Sequence, residues 1–322
     1  MLEKFLQLIE AEIRQQKFGK APVSLYEPIR YIMGLGGKRL RPMLTLLAYN
    51  LYKEDVARVV PYAVAVEAFH NFTLMHDDIM DKAPLRRGKE TVHKKWNVNT
   101  AILSGDVMLV KVYEMFQSID ESKLRNVLSR FNVCAAEVCE GQQWDMEFET
   151  TERVSENDYI RMIRLKTAVL LGFSLELGAI LADAPEEDQK ILREFGTNMG
   201  IGFQLKDDLL DAYADPKKFG KQVGGDIISN KKTYMLIKAI ERSQGKSRRE
   251  LQKWLEVKRF NKSEKVAAVK ALYDQLDIPK LTQRKINHYF RKAFSELETL
   301  HVPLEQVSGL RSFAETLVDR QV

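Results

Sequence analysis

Cysteine, proline and glycine are all scarce in this 322-residue chain, which has 2 cysteines, 9 prolines and 17 glycines. Few helix-breaking residues, together with no sustained alternation of polar and apolar residues, disfavour a β-sheet protein and favour long helices. The five-residue spacing of Cys134 and Cys139 places them on different faces of a helix, so no disulfide between them is expected. Two unpaired thiols favour a reducing, cytoplasmic location.

Long apolar runs are also missing. The longest, Ala168–Ala182, is short for a bilayer-spanning helix and contains Glu176. The segment Met1–Lys17 is charged throughout and lacks the apolar centre of a signal peptide. We therefore expect no integral membrane protein. The formal net charge is only +5, so no global field indicates a nucleic-acid partner.

What the chain does have is helical periodicity along its whole length. Apolar residues make up 45% of it, enough for a sizeable core, and no linker rich in proline, glycine or serine interrupts it. We expect an all-α fold, with residues 1–322 forming a single domain. The periodicity predicts helices at about 2–18, 24–33, 40–53, 58–81, 98–118, 123–149, 156–182, 186–213, 231–244, 247–257, 261–275, 279–300 and 303–319.

Two acidic clusters with the same spacing end two of these predicted helices. The first acidic cluster is Asp77, Asp78 and Asp81; the second repeats the spacing 130 residues later, in the stretch Asp207–Asp211. Aspartates four residues apart share a helix face, where like charges repel by ~0.2–0.5 kcal/mol per pair, and they also oppose the helix dipole. Magnesium takes one or two protein carboxylates plus phosphate oxygens, so the repeat predicts magnesium sites rather than two solvated acidic faces.

Each acidic cluster is followed by a basic loop that contains glycine. Residues 82–95 follow the first cluster, and residues 214–230 with Lys231 follow the second. A third basic segment, Gly36–Pro42, opens a helix, where backbone N–H groups beside lysine and arginine form an anion site. Because long apolar helices lie beneath these segments, the pattern predicts an amphiphilic ligand with a diphosphate head and a hydrocarbon tail.

With these residues in place, the sequence resembles the trans-isoprenyl diphosphate synthases, or polyprenyl synthetases. The ordered set Gly36–Pro42, His70–Asp78, Gly224–Asp226 and Asn230-Lys231 extends the resemblance over nearly the whole chain. It implies a bundle of long helices around a central cavity. It also implies magnesium-dependent, head-to-tail condensation of isopentenyl diphosphate with an allylic diphosphate, and a homodimer. The sequence is most like the short-chain geranylgeranyl and farnesyl diphosphate synthases.

The resemblance also implies roles for individual residues. Three aspartates would ligate magnesium: Asp77, Asp81 and Asp207. Two more would be nearby or water-mediated partners: Asp78 and Asp211. The diphosphate of isopentenyl diphosphate would be bound by Lys38, Arg41, His70 and Arg87. The allylic diphosphate would be bound by Arg86, Lys221 and Lys231. Three residues would lie near the allylic carbon and its leaving group: Lys166, Thr167 and Gln204.

Product length is expected to depend on the helix that carries the first acidic cluster. Phe72 lies five residues before Asp77, about one and a half turns deeper at 3.6 residues per turn, and Phe69 lies nearly a turn further. In the family, a bulky residue at this depth goes with short products. The cluster also lacks the insertion found in many bacterial farnesyl diphosphate synthases. We expect a twenty-carbon product, with fifteen carbons next; ordinary core packing is the alternative explanation for Phe72.

Four other functions agree less well with the sequence. Glu67-x-x-His70 and Glu298-x-x-His301 have the spacing of a di-iron carboxylate bundle, which would leave both acidic clusters and both basic loops unexplained. A terpene cyclase shares the first acidic motif, but usually pairs it with an Asn/Asp…Ser/Thr…Glu motif instead of a repeat. Non-catalytic subunits of prenyl synthases tend to lose one cluster. A nucleic-acid binder is disfavoured because the basic loops lie beside aspartates and lack interleaved aromatics.

Overall fold

A computed structural model describes residues 1–214 and 223–318, and the all-α prediction is confirmed. The helices in the described part are α1 Leu2–Gln15, α2 Val23–Gly34, α3 Leu40–Asn50, α4 Val60–Met80, α5 Val92–Lys95, α6 Val98–Phe116, α7 Glu121–Thr150, α8 Glu156–Ile163, α9 Val169–Leu181, α10 Glu186–Tyr213, α11 Gly225–Ser229, α12 Tyr234–Arg242, α13 Gly245–Glu256, α14 Lys262–Gln275, α15 Ile278–Leu297 and α16 Leu304–Val318. Among these residues, no helix is long and apolar enough to cross a membrane.

Local sequence signals fix several helix starts. Asn97 caps α6 by accepting a hydrogen bond from the Thr100 N–H, and Thr233 caps α12 in the same way. Ser155 and Asp158 form a capping box at the start of α8. Such caps satisfy backbone N–H groups that have no partner within the helix, each at a gain of about 1 kcal/mol.

The chain's contacts divide it into two compact units. The first unit comprises Met1–Val133, Phe173–Arg193 and Leu300–Leu310. The second unit comprises Cys134–Gly172 and the described parts of Glu194–Thr299 and of the segment that follows Leu310. The organisation of residues 1–322 as one domain stays a prediction.

Helix α4 is the centre of the first unit. It is apolar nearly all round, and it packs against α6, α3 and α1. Its residues Val64, Val66 and Phe69 are fully buried. Burying one such side chain contributes about 1.5–3 kcal/mol, so this helix holds its C-terminal end, with the first acidic cluster, on a rigid support.

The core of the second unit is formed by its later helices. Its buried side chains come from α10 to α15 and include Met235, Leu251, Leu272 and Ile278. Tyr213 and Leu209, in the last turns of α10, pack against the same core. The end of α10 that carries the second acidic cluster therefore also rests on well-packed side chains.

Two segments differ from the sequence prediction. Residues 82–95, expected to be a loop, contain a short antiparallel hairpin of Leu85–Arg86 (β1) with Lys89–Glu90 (β2), followed by α5. The helix expected over 156–182 is interrupted by a π-helical turn at Arg164–Ala168. Such turns interrupt α-helices at a local cost and are frequent at functional sites.

Candidate functional site

The first acidic cluster occupies the last turn of α4. The Asp81 N–H donates to the Asp77 carbonyl over 2.8 Å, so helical spacing continues through the cluster and both carboxylates lie on one face. Asp78 is buried and accepts two hydrogen bonds of 2.8 Å from the Arg86 guanidinium. Burial raises the pKa of Asp78 although the Arg86 charge opposes the rise. The sequence assigned Arg86 only to a substrate, and the structure also gives it this protein partner.

The hairpin that carries Arg86 also positions Arg87. Arg87 and Gly88 form its two-residue turn, with φ angles of 52° and 75°, as a type I′ hairpin turn requires. The Arg87 guanidinium donates to the Gly36 carbonyl and lies flat on Gly37, where a Cβ atom would be 2.8 Å from Cζ of Arg87. Only glycine at position 37 leaves room for this contact.

His70 lies within a concentration of positive charge on the same helix as the first acidic cluster. Burial lowers the pKa of His70 well below its ordinary value, and the charges of Arg41, Arg87, Arg86 and Arg39 add to the effect. The imidazole is therefore neutral at neutral pH. The structure thus places Arg41 and Arg87 near enough to His70 for their charges to act on it, and these two guanidinium cations favour binding of an anion.

Arg39 has a structural role that the sequence analysis did not assign. It is only 2% exposed, donates to Glu10 over 2.7 Å and Glu67 over 3.0 Å, and has a φ of 46°. Its neighbour Lys38 is exposed. A carboxylate buried in the apolar helix α4 needs a cationic partner. The presence of Glu67 in this helix could therefore have predicted a buried arginine beside it. The segment Gly36–Pro42 therefore combines a buried anchor with side chains that can meet a ligand.

Phe69 and Phe72 lie one turn apart on α4 but in different surroundings. Phe69 is fully buried, and its ring meets that of Phe131 edge to face at 5.0 Å. Phe72 is half-buried and contacts the His76 ring at 4.8 Å and the Phe69 ring at 5.7 Å. Phe69 therefore belongs to the core, whereas Phe72 is the more accessible ring.

The second acidic cluster is Asp207, Asp208 and Asp211 in the last turns of α10. Asp208 accepts a hydrogen bond from the buried Tyr159 hydroxyl and another of 2.9 Å from the Gln204 amide. The other end of that amide, Oε1, accepts from the Thr167 hydroxyl at 3.2 Å. This chain of hydrogen bonds fixes Gln204 and Thr167 relative to each other. Burial raises the pKa of Asp208 to about 6.

Asp211 fixes the backbone at Gly224 and Asp226 through two hydrogen bonds. Its carboxylate accepts from the Asp226 N–H at 3.0 Å, and its carbonyl accepts from the Gly224 N–H at 2.6 Å. Gly224 has a φ of 84°, a conformation that favours glycine. Burial, followed by the charge of Asp208, raises the pKa of Asp226 to about 7. Asp226 thus adds a further carboxyl group beside the second acidic cluster.

Lys166 and Lys231 share a carboxylate that the sequence analysis did not assign. Oδ2 of Asp145 lies 2.6 Å from Nζ of Lys166 and 3.5 Å from Nζ of Lys231. Burial opposes ionisation of Asp145, but the charges of the two lysines outweigh it and lower its pKa. Asp145 therefore stays ionised and keeps Lys166, predicted to lie near the allylic carbon and its leaving group, close to Lys231, predicted to bind the allylic diphosphate.

The π-helical turn Arg164–Ala168 is possible because two glycines admit it. A Cβ atom on Gly141 would lie 2.1 Å from the Lys166 backbone nitrogen, and one on Gly200 would lie 2.6 Å from Cα of Ala168. Both distances are shorter than any real contact, so α7 and α10 each approach the turn at a residue without a side chain. The sequence signal for this arrangement, glycines within helices, is a weak one.

The carboxylates of the first acidic cluster can be compared with the ligands that magnesium takes in proteins. In the part of the chain that the structure describes, no group of three or more His, Cys, Asp or Glu side chains could hold a metal ion by itself. The carboxylates of Asp77 and Asp81 are hard oxygen donors on one helix face, and Asp77 is partly accessible. Magnesium commonly uses one or two carboxylates and completes its shell with water and phosphate oxygens, so these residues fit it.

Lys221 and the glutamates of the di-iron alternative complete the set of predicted site residues. Lys221 lies outside the described residues. The glutamates of the di-iron alternative both have arginine partners, since Glu67 pairs with Arg39 and Glu298 with Arg311. Their carboxylates are thus already compensated by fixed positive charge, which disfavours a metal centre there.

Comparisons with known proteins agree on one family. The polyprenyl synthetase family model matches residues 22–275. A short chain isoprenyl diphosphate synthase of Methanocaldococcus jannaschii is 43% identical over 74% of this chain and 72% of its own length. A geranylgeranyl pyrophosphate synthase of Geoglobus acetivorans is 42% identical over 73% of this chain and 74% of its own. A crystal structure of a geranylgeranyl pyrophosphate synthase superposes with a TM-score of 0.95 at 44% identity, covering 100% of this chain and 99% of the other.

Proposed function

The chain belongs to the polyprenyl synthetase family, and on that premise we propose that it condenses isopentenyl diphosphate with an allylic diphosphate to give a short all-trans prenyl diphosphate. The observation that carries this proposal is on α4. This helix holds the first acidic cluster at its end and, seven residues earlier, His70 with Arg41 and Arg87 beside it. An anion site about 10 Å, or two turns, from a carboxylate pair suits two separate diphosphates.

The aspartates and basic residues would divide the two diphosphates between them. Asp77, Asp81 and Asp207 would ligate magnesium, which when bound neutralises the negative charge of the departing diphosphate. Asp78 and Asp211 would support them, since each is fixed by hydrogen bonds to protein groups. The isopentenyl diphosphate would be bound by Lys38, Arg41, His70 and Arg87. The allylic diphosphate would be bound by Arg86, Lys221 and Lys231.

The reaction would proceed by ionisation of the allylic C–O bond, whose electron pair leaves with the diphosphate. The double bond of isopentenyl diphosphate then attacks the allylic cation to form the new C–C bond, and a proton is lost to the released diphosphate. Lys166, Thr167 and Gln204 would face the cation and its leaving group. Their fixed dipoles cost no reorganisation during the reaction, which is the usual basis of electrostatic stabilisation.

A direct assay tests this function. The folded protein is incubated with magnesium, isopentenyl diphosphate and geranyl diphosphate, and the prenyl chain is identified after removal of the diphosphate. We expect chains longer than the primer. A terpene cyclase would consume the allylic diphosphate without isopentenyl diphosphate and release a hydrocarbon, and a non-catalytic subunit would leave both substrates unchanged.

We propose geranylgeranyl diphosphate as the product, with farnesyl diphosphate as the next candidate. Support comes from the half-buried ring of Phe72 and from the synthases named above. Phe72→Ala should lengthen the product and Phe72→Trp should shorten it, because the ring would limit the depth open to the chain. If both variants lose stability but keep the parent product, Phe72 has only a packing role and Phe69 is the next residue to test.

We further propose that the protein is a homodimer. Four large apolar residues on one side of α6 are exposed, and Val133 on α7 is 58% exposed. The four are Val98, Ile102, Leu103 and Val110. A second copy of the chain would cover them, as expected for a contiguous apolar face. Leu103→Lys should shift the protein to the monomer in sedimentation, whereas the control Leu6→Lys on α1 should not; a monomeric parent protein would contradict the proposal.

A cytoplasmic location is proposed as well. No disulfide joins Cys134 and Cys139, and Cys134 is buried, which suits a reducing compartment. Cell fractionation with a thiol-trapping reagent would test this, since both thiols should be recovered reduced. Recovery of an oxidised form would oppose it.

A further inference from the structure

A strongly basic stretch lies outside the acidic clusters and the loops that follow them: residues 242–262, named here the basic segment. It contains eight lysine and arginine residues and two glutamates, a net charge of +6, whereas the whole chain has +5. The remainder of the chain is therefore close to neutral. The eight basic residues are Arg242, Lys246, Arg248, Arg249, Lys253, Lys258, Arg259 and Lys262.

These side chains are exposed, and ion pairs within the described residues do not engage them. All eight are solvent-exposed, and within the described residues none forms a salt bridge with a carboxylate. Nearby lysines behave differently: Lys238 and Lys285 each lie 2.6 Å from a carboxylate oxygen of Glu156. A segment that leaves its cations without acidic partners keeps a strong local field for an external anion.

Helix α13 presents part of this charge on one face. Leu251 is buried, and Trp254 and Leu255 pack with it against the core of the second unit. Lys246, Arg249 and Lys253 follow helical spacing on the opposite side of α13. The helix is thus anchored by its apolar side, and its outer side is basic along its length.

The composition of this surface narrows the class of partner. Among the described residues of the segment, none of the large hydrophobic side chains is exposed, so a protein partner would find no apolar anchor of the kind that dominates such interfaces. Phe260 is half-buried beside Lys265, and Trp254 packs inward, so no exposed aromatic ring offers stacking to nucleic-acid bases. What remains is an extended positive surface suited to an array of phosphates.

We propose that the basic segment attaches the protein to an anionic phospholipid surface. The choice of a lipid over other anions rests on the proposed function, because the hydrocarbon tail of a prenyl diphosphate partitions into a bilayer. Without an apolar anchor, binding is peripheral, reversible and sensitive to salt. Clusters of four to eight basic residues are sufficient for such binding to anionic membranes.

Vesicle co-sedimentation tests the proposal. The full chain should sediment with phosphatidylglycerol vesicles at low salt and should be released from them at high salt. It should not bind phosphatidylcholine vesicles. The triple variant Lys246→Gln, Arg249→Gln, Lys253→Gln should bind about a hundredfold more weakly, since each cation near an anionic surface contributes about fivefold. A matched control removes three exposed cations elsewhere: Arg14→Gln, Lys17→Gln and Lys20→Gln.

Synthase activity with dissolved substrates, measured on the same preparations, separates this proposal from the proposed function. The triple variant should keep parental activity in solution, because none of its three residues is placed in the active site. Equal vesicle binding by the triple variant and the control would overturn the proposal. Binding of the parent to RNA fragments but not to phosphatidylglycerol would also overturn it.

Discussion

The two acidic clusters repeat one sequence spacing, yet the protein holds their central aspartates by different means. Asp78 accepts two hydrogen bonds of 2.8 Å from the Arg86 guanidinium. Asp208 is held by the Tyr159 hydroxyl and the Gln204 amide, both neutral groups. Both carboxyls are buried, and burial raises the pKa of each. The same motif therefore has a charged hydrogen-bond partner in the first cluster and neutral ones in the second, where the charge of Lys231 also opposes the rise of the Asp208 pKa.

This difference indicates that the carboxyl groups of the two clusters differ in protonation before substrate binds. In the first cluster, the nearby Arg86 favours the ionised form of Asp78, so the carboxylates are prepared for a cation. In the second, the charge of Asp208 also raises the pKa of Asp226. Two carboxyls that titrate together near neutrality keep a proton until a cation displaces it. We infer that the second cluster is the more sensitive to pH and to metal.

The largest expected effect comes from the outer aspartates, where the two clusters should behave alike. Asp77→Asn and Asp207→Asn each remove a proposed metal ligand, and kcat/KM should fall about a thousandfold, or about 4 kcal/mol of transition-state stabilisation. Product formation over a magnesium titration measures this. Asp120→Asn, an exposed aspartate outside the clusters, is the control, and a fall of less than tenfold in either variant would remove that aspartate from the metal site.

The partners of the central aspartates should differ in their effect on stability. Arg86→Met leaves the buried Asp78 without its cation and should lower the free energy of unfolding by about 3 kcal/mol. Tyr159→Phe removes one neutral hydrogen bond from Asp208, which keeps the Gln204 amide, and should cost about 1 kcal/mol. Urea unfolding without magnesium compares the two. The reverse order would show that the hydroxyl, and not the guanidinium, is the stronger support.

The outer aspartates of the two clusters were predictable from the sequence. The residues that hold the central aspartates, Asp78 and Asp208, were not. Helical spacing alone placed Asp77 with Asp81, and the family resemblance implied that Arg87 and Arg41 bind the same diphosphate. Tyr159 lies 49 residues from Asp208, and nothing local marks it as a partner. Such pairs arise from tertiary packing, which periodicity does not encode.

The π-helical turn at Arg164–Ala168 was missed for a related reason. The apolar pattern of residues 156–182 continues through the turn, so a single helix was the natural prediction. The interruption depends on the close approach of Gly141 and Gly200, which are distant in sequence. The hairpin at residues 85–90 was not predicted because each of its strands has two residues, too few to show an alternating pattern. Helix existence was therefore predictable, but local departures at the candidate site were not.

A smaller effect is expected from Asp145, which neither cluster contains but which orders the lysines of the second unit. Asp145→Asn removes the charge that holds Lys166 and Lys231 within 3.5 Å of one oxygen. The KM for the allylic diphosphate should rise about tenfold, because the lysines would repel each other, while the KM for isopentenyl diphosphate should stay unchanged. Equal changes in both constants would indicate a general structural defect. Asp145→Glu is the conservative control and should recover part of the loss.

The smallest effect is a pH dependence that distinguishes the central aspartates. The pKa of Asp208 rises from 3.8 to about 6 on folding, so the folded state holds this proton more tightly than the unfolded state. Its contribution to stability is complete below about pH 4, falls as the pH rises towards 6, and is absent above that range. Asp208→Asn should remove this part of the pH slope in magnesium-free urea unfolding. Asp78→Asn should change the slope less, because Arg86 opposes the rise of the Asp78 pKa. A larger change for Asp78→Asn would mean that the guanidinium does not compensate the buried charge, and the contrast between the two clusters would fail.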